Sequence, residues 1–178
     1  MSSVRIYVAT SADGCIADRD GSVDWLEGFD PDDYGYQKFW SQIGAVIMGR
    51  HTFEHVQTFA DAWPYAGRHC FVLASQPVRN LPDKTVVVSN GGVAAAVAAA
   101  RQATRGDVWI VGGAAAMRWA LQNELVDLVE VFYIPIFIGE GIPLLGPLPG
   151  RIPLSLKGIE TYPDGVVKVA YEPERGIG

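Results

Sequence analysis

Short runs rich in Val and Ile alternate with helix-forming runs along most of this chain, and this alternation constrains the fold more than any other feature. Strands are predicted at residues 4–10, 45–48, 69–73, 86–88, 108–111 and 129–138. Helices are predicted at residues 34–42, 52–59, 92–102 and 114–123. Alternating strands and helices are typical of βαβ units, so we expect an α/β fold with a mainly parallel sheet that is buried on both faces.

The last part of the chain follows a different pattern. Two apolar runs, at residues 154–159 and 166–171, flank a Pro163-Asp164-Gly165 turn, which is a hairpin signal. The sheet is therefore expected to end in an antiparallel hairpin. The 178 residues contain no repeat or linker, so we expect one domain over residues 1–178.

Composition narrows the partners that the chain can have. The net charge is −6 and no run of Lys and Arg is present, which argues against a nucleic-acid partner. No apolar run reaches the ~18 residues of a membrane span, so we expect a soluble, cytoplasmic protein without a membrane partner. Cys15 and Cys70 lie in apolar runs without metal-ligand spacing and are predicted to be buried thiols.

The loops that follow the predicted strands are the places to look for a ligand, because parallel sheets bind ligands at the carboxyl ends of their strands. After the second strand, Gly49 lets the backbone approach a ligand, and the helix that follows offers free N–H groups to a phosphate. Arg50 can pair with a phosphomonoester such as the 2′-phosphate of NADP, and Thr52 can cap the helix or donate to phosphate. A capped helix with a surface arginine is the alternative interpretation of this segment.

Two other strand ends carry weaker signals. Ser75 follows the third strand, where it is either a second phosphate contact or part of an ordinary turn. Gly112 and Gly113 lie between a strand and a helix and allow close backbone approach, although the G-x-G-x-x-G pattern is absent. Residues 51–55 match the H-x-x-E-H pattern of inverted zinc proteases, but the chain has only one other histidine, so no metal site is predicted.

Taken in order, these segments resemble the dihydrofolate reductase superfamily. The resemblance rests on Met-Gly-Arg-His-Thr-Phe-Glu at 48–54, Leu-Ala-Ser-Gln-Pro at 73–77 and Val-Gly-Gly at 111–113, where the superfamily has a Gly-Gly bond that is usually cis. Residues 11–17 and 21–26 resemble its mobile loop over the nicotinamide. The resemblance implies a three-layer fold, with a mainly parallel central sheet flanked by helices and an antiparallel hairpin at the C-terminal end.

Within the superfamily, residues 11–17 and 132–146 are similar to the reductase domain of the bacterial riboflavin-biosynthesis deaminase/reductase. This similarity implies an NADPH-dependent reductase, by analogy one that reduces the sugar of 5-amino-6-(5-phosphoribosylamino)uracil. No deaminase zinc motif is present, so only the reductase activity is implied. The expected substrate is a small molecule of the pyrimidine or pterin type.

The same resemblance implies which residues would hold NADPH. They lie near the ends of four predicted strands. The nicotinamide is expected at the first strand, phosphates at the second, the adenosine at the third, and both the pyrophosphate and the nicotinamide at the fifth. The implied set is Ala9, Ile16, Gly49, Arg50, His51, Thr52, Leu73, Ala74, Ser75, Gln76, Val111, Gly112, Gly113 and Ala114. Ala115 stands where folate reductases often carry an arginine, which implies a weaker phosphate grip there.

On the substrate side, the resemblance implies an acid after the mobile loop. Asp33 lies 16 residues before Gly49, as the superfamily spacing requires, but Asp30 and Asp32 compete with it. Trp25, at the end of the mobile loop, is the third catalytic candidate besides Asp33 and Asp30. A carboxyl group in an apolar pocket would have a raised pKa and could handle protons, whereas the alternative is that Asp30 or Asp32 caps the next helix.

Two other functions stay open. A true dihydrofolate reductase would use the same cofactor segments, and so would a dimeric nucleotide-binding protein without catalytic activity. Residues 129–138 and 141–148 are apolar enough to form a homodimer interface, although an ordinary buried strand explains them equally well.

Overall fold

The computed structural model describes residues 2–59 and 62–176. The strands are β1 (Val4–Ser11), β2 (Cys15–Asp18), β3 (Ile43–Gly49), β4 (His69–Leu73), β5 (Thr85–Val88), β6 (Asp107–Gly112), β7 (Leu128–Ile134), β8 (Gly141–Pro143), β9 (Leu154–Thr161) and β10 (Val167–Pro173). Eight of them form one sheet in the order β5-β4-β3-β6-β1-β7-β10-β9. The first six strands in that order pair in parallel, and β10 pairs antiparallel with both β7 and β9. This arrangement confirms the predicted fold class.

Helices cover both faces of this sheet. They are α1 (Tyr36–Gln42), α2 (Arg50–Phe59), α3 (Gly92–Ala103) and α4 (Ala114–Gln122). Alternate residues of β3 show why the sheet needs two layers of cover: Ala45 and Ile47 pack in one core with α3 and α4, whereas Val46 and Met48 pack in another with α1 and α2. All four side chains are fully buried. The continuous apolar run in β3 thus reflects burial on both faces.

Two predicted elements have different bounds in the structure. The strand predicted at 129–138 stops at Ile134, because Pro135 follows and the Ile136 amide turns back to the Ile134 carbonyl. The helix predicted at 34–42 begins only at Tyr36. Gly35 has a φ of 81°, a left-handed conformation that separates α1 from a short 3-10 turn at Pro31–Tyr34.

A second, two-stranded sheet joins the loop after β1 to the segment after β7. It consists of β2 and β8, paired antiparallel, and it was not predicted. The two strands lie very close together, since a Cβ atom on Gly141 would fall 2.5 Å from the Ala17 carbonyl oxygen. With four and three residues, these strands are too short to show any hydrophobic period.

The two cysteines are buried and unpaired, as predicted, and burial raises the pKa of the Cys70 thiol to about 12. Among residues 2–59 and 62–176, no helix is long and apolar enough to span a membrane. Within the same residues, no three His, Cys, Asp or Glu side chains come together in a group that could hold a metal ion.

Candidate active site

The carboxyl ends of β3 and β6 bring two of the predicted cofactor segments into contact. The strands pair in parallel with Met48 opposite Gly112. A Cβ atom on Gly113 would lie 3.3 Å from the Thr52 hydroxyl oxygen, and one on Gly112 would lie 3.5 Å from it. A Cβ atom on Gly49 would be 3.7 Å from the Gly113 amide nitrogen. Glycine at these positions therefore lets the two strand ends and the start of the next helix approach closely, with Gly112 buried and Gly49 and Gly113 half-buried. We call this meeting point of the three glycines the glycine cradle.

Two helices begin at this cradle. The Gly112–Gly113 peptide bond is cis, and α4 starts immediately after it at Ala114. Gly113 has no side chain with which to cap α4, so the first amide groups of that helix stay available to a ligand. Helix α2 starts at Arg50, directly after β3. Two helix N-termini at one point give a positive potential suited to a phosphate group.

Arg50 and its neighbours flank the cradle on the outside. The Arg50 Nε atom donates a hydrogen bond of 2.6 Å to Glu54 one turn later in α2, and both side chains are about half exposed. His51 is exposed and Thr52 is half-buried. Arg50 is thus oriented by the Glu54 carboxylate, and the ion pair remains accessible from solvent.

The third predicted segment lies at the neighbouring strand end. β4 pairs with β3, with Leu73 opposite Gly49, so residues 73–76 adjoin the cradle on its β4 side. Leu73 and Ala74 are half-buried, and the Ala74 amide donates to the Val88 carbonyl oxygen. Ser75 and Gln76 are exposed beyond the strand. The three segments form one continuous edge of the sheet.

The two residues assigned to the nicotinamide are not brought into one cluster. Ala9 packs beside a cluster that contains Tyr34, Phe132 and Ile134. Ile16 packs instead against the core on the side of α3 and α4. The loop between them folds over the end of β1, which is the neighbour of β6 in the sheet.

Asp13 fastens that loop to the segment after β7, a role that sequence reasoning missed. Its carboxylate accepts hydrogen bonds from the Ser11 hydroxyl at 2.5 Å, the Gly139 amide at 2.6 Å and the Ile138 amide at 3.1 Å. These three donors lower the pKa of Asp13 to about 2. The available signal was the Asp13-Gly14 turn, but nothing in the sequence pointed to partners about 125 residues away.

The three acids on the substrate side are all exposed. Asp30 accepts a 2.9 Å hydrogen bond from the Asp32 amide and caps the 3-10 turn, which was the alternative interpretation of its role. Asp32 accepts hydrogen bonds from the Gln37 side chain at 3.0 and 3.1 Å. Asp33 lies on the same turn. None of these carboxylates has the apolar surroundings expected for a proton donor.

Trp25 packs beside the same cluster as Ala9. Its indole Nε1 is buried and finds no hydrogen-bond acceptor within the part of the chain that the structure describes. Buried donors in folded proteins are usually paired with protein, water or ligand atoms. The unpaired indole N–H is therefore a candidate contact for a ligand atom.

The structure adds a polar pair to this cluster that the sequence did not reveal. The Tyr34 hydroxyl donates a short hydrogen bond to Asp164 in the β9–β10 turn, and its ring lies edge-on to Tyr162. Burial and the neighbouring carboxylate raise the pKa of Tyr34, and the phenol lowers the pKa of Asp164. The partners are 130 residues apart, so only the fold brings them together.

A cavity of 470 Å³ lies between the loop before α1 and the outer side of α2. Its described lining contains three carboxylates and no Lys or Arg. The lining residues are Asp20, Ser22, Val23, Asp24, Leu26, Glu27 and His55. A larger cavity of 530 Å³ lies at the opposite edge of the sheet, near Val126 and Pro173, away from the glycine cradle.

Comparison with known proteins agrees with this geometry. The family model of the RibD C-terminal domain matches residues 2–168. The chain is 35% identical over 162 residues to the uncharacterized protein YwjB of Bacillus subtilis strain 168, which covers 90% of this chain and 92% of that protein.

Solved structures show the same fold. A crystal structure of a candidate riboflavin biosynthesis protein from Shewanella sp. PV-4 matches with a TM-score of 0.84 at 28% identity, covering 97% of this chain and 99% of that one. The dihydrofolate reductase of Enterococcus faecalis, solved with NADP(H), matches with a TM-score of 0.70 at 17% identity and covers 97% of each chain. The predicted resemblance to the superfamily is confirmed at the level of the fold.

We expect Asp13→Asn to loosen the loop after β1, because an amide accepts hydrogen bonds more weakly than a carboxylate. Hydrogen exchange at the Ile138 and Gly139 amides should become faster, while Asp20→Asn, an exposed change in the turn after β2, should leave it unaltered. Unchanged exchange in Asp13→Asn would show that the carboxylate does not hold the two segments together.

The pH dependence of this contact has a definite sign. The pKa of Asp13 is lowered from 3.8 to about 2, so its stabilising effect is complete above pH 3.8 and is lost as the pH falls toward about 2. The carboxyl ¹³C shift of Asp13 should titrate with a midpoint near that lower value. A midpoint at the ordinary value of 3.8 would contradict the hydrogen-bond assignment.

Proposed function

The chain belongs to the RibD C-terminal domain family, and we propose that it is an NADPH-dependent reductase of a small nitrogen heterocycle. The observation that carries this proposal is the glycine cradle at the carboxyl edge, where Gly49, Gly112 and Gly113 meet two helix N-termini. A cradle of this kind suits the pyrophosphate of a dinucleotide. The structural neighbour solved with NADP(H) supports the choice of cofactor.

The residues around the cradle fit this cofactor. The amides at the start of α4 and the Thr52 hydroxyl would hold the pyrophosphate, because no side chain caps that end of the helix. Arg50, on the same edge of the sheet as Ser75 and Gln76, would face the 2′-phosphate. Ala9 would line the nicotinamide, whereas Ile16 packs in a different cluster and is assigned no contact with it. When bound, NADPH supplies the hydride, and the protein orients the reactants and excludes water.

Among the substrate-side acids, Asp33 is the one we assign to a substrate contact, since the Asp30 carboxylate is engaged in capping and the Asp32 carboxylate accepts from Gln37. Because all three are exposed, we assign no proton transfer to them. Trp25 would donate its unpaired indole N–H to a polar atom of the heterocycle. Asp13 keeps the loop that carries Ile16 tied down beside the site.

Two observations support a proposed substrate class: the family, and the charge of the cavity beside α2, which we propose receives the substrate. The family's riboflavin-pathway reductase acts on a phosphoribosylated pyrimidine, so a pyrimidine or related pterin ring is the proposed substrate. Asp20, Asp24 and Glu27 line the cavity, and a phosphate entering there would meet like charges. We therefore expect a substrate without a phosphate group.

Oxidation of NADPH tests this function directly. The substrates to compare are 5-amino-6-(ribosylamino)uracil, its 5′-phosphate and dihydrofolate. The reaction is followed by the loss of absorbance at the nicotinamide band. We expect turnover of the unphosphorylated pyrimidine, with kcat/KM for its phosphate lower by about tenfold, the effect of roughly 1.4 kcal/mol. Efficient turnover of dihydrofolate alone would identify a dihydrofolate reductase, and NADPH binding without turnover of any heterocycle would favour a binding protein.

Arg50→Gln should weaken NADPH binding by about tenfold or more and change NADH binding by less than about twofold, because a charge-assisted hydrogen bond contributes roughly 1.5–3 kcal/mol.

Glu54→Gln keeps a hydrogen-bond acceptor for Arg50 but removes a negative charge, so it should tighten NADPH binding. Isothermal titration calorimetry measures both effects. Arg101→Gln, which breaks the ion pair with Asp127 at the amino edge, is the control. Equal losses of NADPH and NADH affinity in Arg50→Gln would refute the 2′-phosphate assignment.

Trp25→Phe keeps the ring but removes the indole N–H, so we expect kcat/KM for the heterocycle to fall by about tenfold while the NADPH dissociation constant stays the same. Trp63→Phe is a matched control, because the Trp63 Nε1 is also buried without an acceptor among the described residues but packs against Phe53 and Tyr65. Equal kinetic effects of the two substitutions would mean that Trp25 acts only through packing.

A further inference from the structure

The segment between β2 and α1, residues 23–35, holds two of the residues assigned to substrate contacts, Trp25 and Asp33. Its two 3-10 turns, Asp24–Leu26 and Pro31–Tyr34, have three and four residues and are too short to be stable alone. Within the described part of the chain, its backbone hydrogen bonds all close within four residues along the sequence. The position of this segment on the large sheet therefore depends on side-chain contacts.

Apolar packing supplies part of this attachment. Tyr34 is only 8% exposed and lies in one cluster with Phe132 and Ile134 of β7 and with Val166 of the β9–β10 connection. Trp25 packs beside the same cluster. Packing of this kind holds the segment against the sheet, but it is non-directional and does not by itself fix how the segment is oriented.

The bond between Tyr34 and Asp164 adds a directional contact. The phenol donates to one oxygen of the carboxylate, and the other oxygen accepts from the Val166 amide at 3.2 Å. Among the described residues, this is the only hydrogen bond that joins residues 23–35 to the large sheet or to its C-terminal hairpin. One carboxylate thus fixes both the hairpin turn and the segment before α1.

The chemistry of this pair suits positioning rather than proton transfer. Burial and the neighbouring carboxylate raise the pKa of Tyr34, so the phenol keeps its proton and donates it to Asp164. The hydrogen bond from Tyr34 lowers the pKa of Asp164, which therefore stays ionised and accepts this bond at neutral pH. Neither group has a proton to give to a substrate at neutral pH.

We propose that Asp164, acting through Tyr34, positions Trp25 and Asp33 relative to Ala9 and so shapes the substrate side of the site. Tyr34 follows Asp33 directly in the chain and shares its cluster with Trp25 and Ala9, so a shift of its ring would move the indole and the carboxylate together. Asp164 lies outside this cluster and acts only through the phenol. The substrate part of this inference rests on the proposed function, because Trp25 and Asp33 are substrate contacts only under it.

The indole N–H signal of Trp25 in NMR spectra tests the positioning without any substrate. The chain has five tryptophans, and Trp25→Phe identifies the signal by removing it. Tyr34→Phe keeps the buried ring and loses only the hydroxyl, so we expect the Trp25 N–H to exchange with solvent about tenfold faster than in the wild type. Asp164→Ala should have the same effect. Asp164→Asn, which keeps an uncharged acceptor, should have a smaller one.

Tyr162→Phe is the matched control for this experiment. Tyr162 packs beside the same cluster, but its hydroxyl donates to Glu160 at 3.2 Å, so its loss should leave the exchange of the Trp25 N–H unchanged. Because Tyr34 and Asp164 act as one unit, the double variant should exchange no faster than Tyr34→Phe alone. An unaltered Trp25 signal in Tyr34→Phe and Asp164→Ala would overturn the proposal, and so would an equal effect of Tyr162→Phe.

Steady-state kinetics with the unphosphorylated pyrimidine then separate positioning from a general loss of structure. Tyr34→Phe should raise KM for the heterocycle by about tenfold, change kcat by less than about twofold and leave the NADPH dissociation constant unchanged. An unaltered KM, or a matching loss of NADPH affinity, would overturn the substrate role of the pair. If no heterocycle is turned over while the Trp25 signal responds as expected, the proposed function fails and the positioning of Trp25 by Tyr34 and Asp164 stands.

Discussion

The pairing of β3 with β6 is the constraint on which the candidate site depends. With Met48 opposite Gly112, the end of each strand falls beside the end of the other, and each strand runs directly into a helix. Gly49, Gly112 and Gly113 leave the space that side chains would otherwise fill, with Thr52 as the nearest polar group. A shift in this register would separate the two helix N-termini and remove the cradle.

The electrostatics of the protein follow from the same arrangement. A chain with a net charge of −6 has no basic cluster with which to hold a dinucleotide, and the amides at the starts of α2 and α4 provide a local positive potential instead. Arg50 is the cation at the outer side of the cradle, and its ion pair with Glu54 moderates its charge. The cavity beside α2 is lined by Asp20, Asp24 and Glu27 and has the opposite charge character. Under the proposed function, this contrast would separate the cofactor side of the site from the substrate side.

The sequence predicted the features that arise from local periodicity. β4 was predicted at its observed bounds, because four consecutive apolar residues, Cys70 to Leu73, follow the polar Arg68 and His69. The predicted bounds of α3 and α4 differ by one residue from those observed. The sequence did not predict the features that depend on contacts between residues far apart in the chain. They are the β2–β8 sheet, the Asp13 contacts with Ile138 and Gly139, and the Tyr34–Asp164 pair. The β-bulge between β9 and β10 was not predicted for the same reason, since it depends on the register in which the two strands pair.

Thermal unfolding in the presence of NADPH and of NADH tests whether the glycine cradle binds NADPH. At a concentration about 100 times its dissociation constant, a ligand that binds only the folded state adds about 2.7 kcal/mol, which raises the melting temperature of a domain of this size by roughly 5–10 °C. Binding at the cradle predicts a shift of that order with NADPH and a smaller one with the same concentration of NADH. No shift with either nucleotide would contradict it.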